Sequence, residues 1–146
     1  MTPAFLVRLM GHHSLSRNVN LGPEDREAYS FANELRVAVL EGRLRAVWTH
    51  PANELGGLTQ RRRDGSVIVP VQIAIARALG LITGSSDYLF LWEGGSCAIE
   101  FKSSKGRLSF GQTDFRDWCD LNRVPFHIAR SAAEGLEFLR NHGVLQ

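Results

Sequence analysis

Cysteine and lysine are scarce in this 146-residue chain, two of each against fifteen arginines. Two cysteines do not make a disulfide framework. Cys97 and Cys119 both fall on apolar faces of their segments, which reads as buried free thiols and fits a reducing compartment. No apolar run approaches the ~20 residues that span a bilayer. Phe5-Leu6-Val7 is broken by Arg8 and is too short for the core of a signal peptide. These absences lead to the expectation of a cytoplasmic protein with no membrane partner. A strong charge of one sign is also missing. The net charge is +2 and the pI about 8.8, which permits a nucleic-acid partner without requiring one. There is no GxxxxGK[ST] phosphate loop, no Ser/His/Asp arrangement, no internal repeat and no low-complexity linker. What remains is a hydrophobic content of 44% and a charged content of 22%, ordinary for a soluble globule, in a length that suits one domain with a proper core.

Residues 1–23 have weak periodicity and read as a loosely ordered arm with at most one short strand. His12-His13 lacks partners at zinc-site spacing. Residues 24–146 read as a single domain. Glu24 to Gly42 has Pro23 before it, acidic residues in its first turn and an apolar face of Ala28, Phe31, Ala32, Leu35, Ala38 and Val39, the pattern of an amphipathic helix. Glu34 and Glu41 border that face. Arg45 to Thr49 reads as a strand, and His50 to Glu54 as a loop broken by Pro51 and Asn53. Arg61-Arg62-Arg63 lies in a polar loop and is either a phosphate clamp or a solvated charge run. Val69 to Leu79 is a mostly apolar helix that packs in the core or against another subunit. Ser109-x-x-Gln112 is a capping box opening a helix to about Leu121, Pro125 to Ala129 a strand, and Ser131-x-x-Glu134 the cap of a last helix. The order is helix, strand, helix, hairpin, helix, strand, helix. It implies an α/β sandwich around a mixed sheet of about four strands.

The chemistry concentrates in Gly84 to Gln112. Tyr88 to Trp92 is an unbroken apolar strand, and Gly94-Gly95 marks a hairpin. Cys97 to Lys102 then alternates. With Gly94-Gly95 as the two-residue loop, Trp92 faces Cys97, Leu89 faces Glu100 and Asp87 faces Lys102. Asp87, Glu100 and Lys102 then share one face, with Asp87 and Glu100 diagonal at roughly 7–8 Å between Cα atoms. Two carboxylates at that separation suit one hard cation, and a lysine beside it suits a bound water. The plain alternative is a surface hairpin with a cross-strand Asp–Lys pair. Against it, an acidic group starts one strongly apolar strand and Glu100 sits inside another, costly places for unpaired charge.

Asp87, Glu100-Phe101-Lys102, the run Ser103-Ser104-Lys105-Gly106-Arg107-Leu108-Ser109 and Gln112 resemble the PD-(D/E)XK nuclease superfamily, most of all its VRR-NUC branch. That branch reads G-x-P-D, an apolar strand, a turn, then E-x-K followed by S-x-x-G-x-L-S-x-x-Q. Ser86 departs from it where the branch has proline. The resemblance implies a restriction-endonuclease-like three-layer sandwich and a Mg²⁺- or Mn²⁺-dependent nuclease cutting DNA. Asp87, Glu100 and the Phe101 carbonyl would hold the metal, joined by Glu34 or, less favoured, Glu41. Lys102 would activate water and Gln112 would lie near the active site. Arg61, Arg62, Arg63, Lys105, Arg107 and Asn53 would meet the DNA backbone, with Gly106 letting the phosphate approach. Small stand-alone members resemble junction resolvases, which implies a homodimer on branched DNA. The rival expectation is a non-catalytic DNA-binding or assembly module on the same fold.

Overall fold

The computed structural model describes residues 3–10, 15, 19–51 and 60–146. Phe31 is the residue around which the core packs. It lies on helix α2 (Pro23–Leu40), whose buried residues Phe31, Ala32, Leu35 and Ala38 recur at helical spacing. Pro23 opens the helix where its missing N–H has no role to fill, and Glu24 and Asp25 follow at the positive end of the helix dipole. The Phe31 ring meets Tyr88, Phe90 and Phe101 at centroid distances of 5.2, 6.2 and 5.1 Å. Those three rings belong to strands β4 (Tyr88–Trp92) and β5 (Gly95–Phe101). Helix α5 (Ala132–Asn141) closes over the same ring through Gly135. A Cβ on Gly135 would stand 2.8 Å from Phe31, so a poor helix former is placed there to admit the aromatic.

The main sheet runs β1–β4–β5–β6, with β1 at Val47–Thr49 and β6 at Phe126–Ala129. β1 and β5 are antiparallel to β4, while β6 is parallel to β5. Helix α4 (Phe110–Leu121) provides the crossover that a parallel pair requires. The result is a mixed α/β domain with a four-stranded mixed sheet, as the element order implied. Cys97 and Cys119 are buried free thiols. No helix among the described residues is long and apolar enough to cross a membrane.

Two local expectations are corrected. The arm contains a short helix, α1 (Ala4–Leu9), with no buried residue, in place of a strand. Arg61 ends strand β2 (Gln60–Arg61), which pairs with β3 (Val67–Ile68) in a two-stranded hairpin, while Arg62 and Arg63 lie in the loop between the two strands. The hairpin's turn is closed by the Asp64 carboxylate, which accepts from both the Ser66 N–H and hydroxyl; this polar closure leaves no trace in hydrophobic periodicity. Helix α3 (Val71–Ala78) buries one residue of its apolar set within this chain. Only Ile73 is buried, and Val71, Ile75 and Leu79 remain exposed, Leu79 at 84%.

The hairpin register also differs from expectation. Trp92 pairs with Gly95, so Glu93 and Gly94 make the turn, with Gly94 at φ 80°. The Trp92 indole lies against Gly95, where any Cβ would come within 2.5 Å of the ring. Covering the glycine with the cross-strand aromatic holds this register. Each β4 residue thereby meets a partner two positions from the expected one. Two is the period of the pleat, so every side chain keeps its face. Asp87, Glu100 and Lys102 still share one face, but one step beyond the Tyr88–Ile99 pair, Asp87 comes level with Glu100 rather than with Lys102.

The segment before β4 packs backbone against backbone on the start of α4. Gly84 has φ 91°, and a Cβ there would lie 2.3 Å from the carbonyl carbon of Gly111 and 2.6 Å from the Gln112 nitrogen. Gly84→Ala is therefore expected to lose about 3 kcal/mol or more, the left-handed backbone penalty plus the clash. Gly143→Ala, at φ 72° in open space, should lose only about 1–2 kcal/mol. Urea unfolding of the two variants decides it, and equal losses would mean that the Gly84–α4 contact contributes nothing.

Candidate functional site

Glu100 is only 2% exposed, and a carboxylate so placed must find donors. It finds three. The Asp87 N–H donates to Oε2 at 3.1 Å, the Gln112 amide Nε2 to Oε1 at 2.5 Å, and the Lys102 ammonium stands 3.1 Å from that same Oε1. Asp87 is half-buried, and its Oδ2 accepts from the Phe101 N–H at 2.7 Å. The two acidic residues are thus laced together: Glu100 accepts the backbone N–H of Asp87, and Asp87 that of the residue after Glu100.

Gln112 serves two structures at once. Its Oε1 accepts from the Ser109 N–H at 2.9 Å while its own N–H donates to the Ser109 hydroxyl at 3.3 Å, a complete capping box. With the amide oxygen committed to the cap, the amide nitrogen faces Glu100. The structural role and the place beside the site, both anticipated from sequence, are found together.

A cleft of about 530 Å³ opens over these groups, lined by Asp87, Glu100, Phe101, Lys102 and Gln112 together with Glu24, Tyr29 and His50. Burial pushes Glu100 up to about 7, with the facing Asp87 adding to the rise and Lys102 opposing it. Asp87 is also raised, chiefly by burial; Phe101 N–H, His50 and Lys102 pull it down and Glu24 pushes it up.

Glu34 is not brought to the cleft. It is exposed and lies ten residues beyond Glu24, about 15 Å further along α2. Glu41 follows the end of the same helix and pairs with Arg43 at 2.6 Å. The helix presents its first turn to the site, so the carboxylates it supplies are Glu24 and Asp25, and Glu24 Oε1 accepts from the Ser103 N–H at 3.0 Å. Sequence reasoning had explained Glu24 by the helix dipole alone. His50 was also passed over. Thr49 pairs with Leu89, which carries His50 alongside Tyr88 (ring centroids 5.2 Å apart) and sets its Nδ1 2.5 Å from the Asp87 carbonyl. The signal available was the strand pairing, not the composition of the loop from His50 to Glu54, where the resemblance drew attention to Asn53 and the loop's end at Glu54. Those two residues, like His12 and His13, lie outside the described residues.

The expected DNA-contacting cations do not line the cleft. Arg61, Arg62 and Arg63 are exposed on the β2–β3 hairpin, and Lys105 and Arg107 are exposed on the turn after β5. Gly106 in that turn is needed for an internal contact: a Cβ would stand 3.0 Å from the Ser103 hydroxyl and 3.1 Å from Glu24. Arg130 donates to the carbonyls of Ser103 and Gly106. The turn is thus built on Glu24 and Arg130, which accounts for the glycine without a phosphate.

Among the described residues, no three His, Cys, Asp or Glu side chains form a group able to hold an ion. Asp87 and Glu100 nonetheless fit a hard cation. They are oxygen donors, and Mg²⁺ typically takes only one or two carboxylates from protein, completing its shell with water and substrate phosphate. The burial that raises both proton affinities, with the added repulsion of Asp87 on Glu100 and of Glu24 on Asp87, is what a cation would relieve. No family model, no curated protein and no solved structure matches the chain.

Native Glu100 keeps its proton to about pH 7, against an ordinary value of 4.5. Between these limits the folded state binds more protons than the unfolded, so stability falls as pH rises through that window. The contribution is on the order of 3 kcal/mol. Urea unfolding at pH 5 and pH 8 should show Glu100→Gln gaining about 2–3 kcal/mol on the wild type between the two. A constant difference would mean that Glu100 ionises in the folded protein as freely as in the unfolded chain.

Proposed function

We propose that this protein is a divalent-metal-dependent nuclease acting on DNA, with the PD-(D/E)XK arrangement its sequence resembles. The observation that carries the reading is the single cleft in which Asp87 stands level with Glu100 and Lys102 follows on the same face. The mixed sheet and its helices are compatible with a restriction-endonuclease-like sandwich. Asp87, Glu100 and the Phe101 carbonyl would hold Mg²⁺ or Mn²⁺. When bound, such a cation supplies an acidified water and neutralises charge developing at the phosphate. Lys102 stands 3.1 Å from Glu100 Oε1, where it would orient the attacking water and offset negative charge. Gln112 fixes the rotamer of Glu100 through Oε1. His50 and Glu24 bound the space left for substrate. The exposed Arg61–Arg63, Lys105 and Arg107 hold the DNA backbone further out, where phosphate contacts position rather than select.

The exposed stripe of Val71, Ile75 and Leu79 provides a face for a second copy, and a homodimer cutting branched DNA is the specific form of the proposal. Two sites on one two-fold axis suit paired cuts across a symmetric junction.

Labelled four-way junction, flap, duplex and single strand incubated with Mg²⁺ or Mn²⁺ test the reading. Cutting is expected with metal only, and Lys102→Ala and Asp87→Ala should each lower the rate about 10²–10⁴-fold. Junction binding with no cutting of any substrate would replace the nuclease with a non-catalytic DNA-binding module. Light scattering tests the assembly: Ile75→Glu with Leu79→Glu should halve the mass of the wild-type particle. A wild type that stays monomeric on junction DNA would remove the paired-cut form.

A further inference from the structure

A second hollow, of about 200 Å³, adjoins the cleft. Asp87 and Gln112 line both cavities. The larger cavity is otherwise bounded by α2, His50 and the end of β5, and the smaller by α3, residues 81–85 and Ser109. The Asp87–Gln112 pair is therefore the partition between two spaces, each with one cation. Lys102 serves the first. Arg77 of α3 serves the second, and its side chain has neither an ion pair nor a hydrogen bond among the described residues.

The remaining lining of the second hollow fixes the chemistry it accepts. Thr83, Ser85 and Ser109 bring hydroxyls, and no aromatic side chain of the described residues lines the space. A nucleobase would find no ring to stack on. An anionic oxygen group would meet a guanidinium with its fork of donors, beside the positive end of the α4 dipole. We infer that this hollow binds the phosphate adjacent to the scissile one, with Arg77 as its cation, so the strand crosses the Asp87–Gln112 partition. The inference rests on the nuclease reading for the meaning of "scissile" but concerns a separate set of contacts. Arg77 acts here as a binding residue that sets the strand's position, not as a catalytic group.

The test is equilibrium binding of a short DNA oligonucleotide by fluorescence anisotropy at several salt concentrations, comparing wild type with Arg77→Ala. Arg77 is exposed on a helix, and alanine is the best helix former, so the variant is expected to fold, with circular dichroism as the check. Binding should weaken roughly tenfold, and the slope of log affinity against log salt should fall by about one. A scan with single methylphosphonate linkages then locates the contact. One neutral linkage, beside the cut, should weaken the wild type roughly tenfold and leave Arg77→Ala unaffected.

If every methylphosphonate affects wild type and variant equally, the subsite is wrong, whatever the cutting assay gives. If the coupling is found but no substrate is cut, the subsite stands as an anion-binding site and the nuclease reading falls. If the wild type does not bind the oligonucleotide at all, both fall.

Discussion

A carboxylate taken almost wholly out of water is the constraint on which this structure turns. Glu100 sits in the most buried strand of the sheet, and its oxygens are satisfied by groups from three segments: the chain before β4, the end of β5 and the first turn of α4. Losing one partner of a buried charge leaves the charge uncompensated, which is costly. The three segments are therefore bound to one another through the site. The close backbone approach of Gly84 to Gly111, the capping box at Ser109 and the position of Lys102 all follow from the need to deliver donors to one side chain. The same contacts leave two carboxylates facing each other with raised proton affinity, which is poor for stability at neutral pH and suitable for capturing a cation. Groups so perturbed in a cleft are a recognised mark of functional sites.

The aromatic core governs what else reaches the cleft. Phe31 is clamped among Tyr88, Phe90 and Phe101 and seated against Gly135, so α2 has one position along its axis relative to the sheet. That position sends its acidic first turn to the end of β5. Glu24 then meets Ser103 and shapes the turn carrying Lys105 and Arg107, while Glu34 is left in solvent. A shift of α2 by one turn would move every residue on it by about 5.4 Å. The packing of one phenylalanine thus decides which glutamate belongs to the site.

Charge is arranged against this background with little excess. The net charge is small, so long-range attraction of a polyanion is modest, and local arrangement must do what total charge does not. The cations of the β2–β3 hairpin and of the Ser103–Arg107 turn are exposed and outside the cleft. Lys102 and Arg77 line its two adjoining spaces. Helix α3, which carries Arg77, shows solvent an apolar stripe that no described element covers.

Much of this was legible in the sequence because it depends on local rules. Helical spacing in 24–40, the capping box at Ser109, the N-cap at Ser131 and the alternation from Cys97 to Lys102 are properties of neighbouring residues. They determined the element order, the mixed sheet and the shared face of Asp87, Glu100 and Lys102. That shared face survived a mistaken turn because the error was two residues, a whole period of the pleat. What only the tertiary structure decided depends on contacts between distant segments. Trp92 lying against Gly95 set the register and put Asp87 level with Glu100. The seating of Phe31 chose Glu24 over Glu34, and the pairing of β1 with β4 brought in His50. Periodicity tells which way a side chain faces. Only packing between elements tells what it faces.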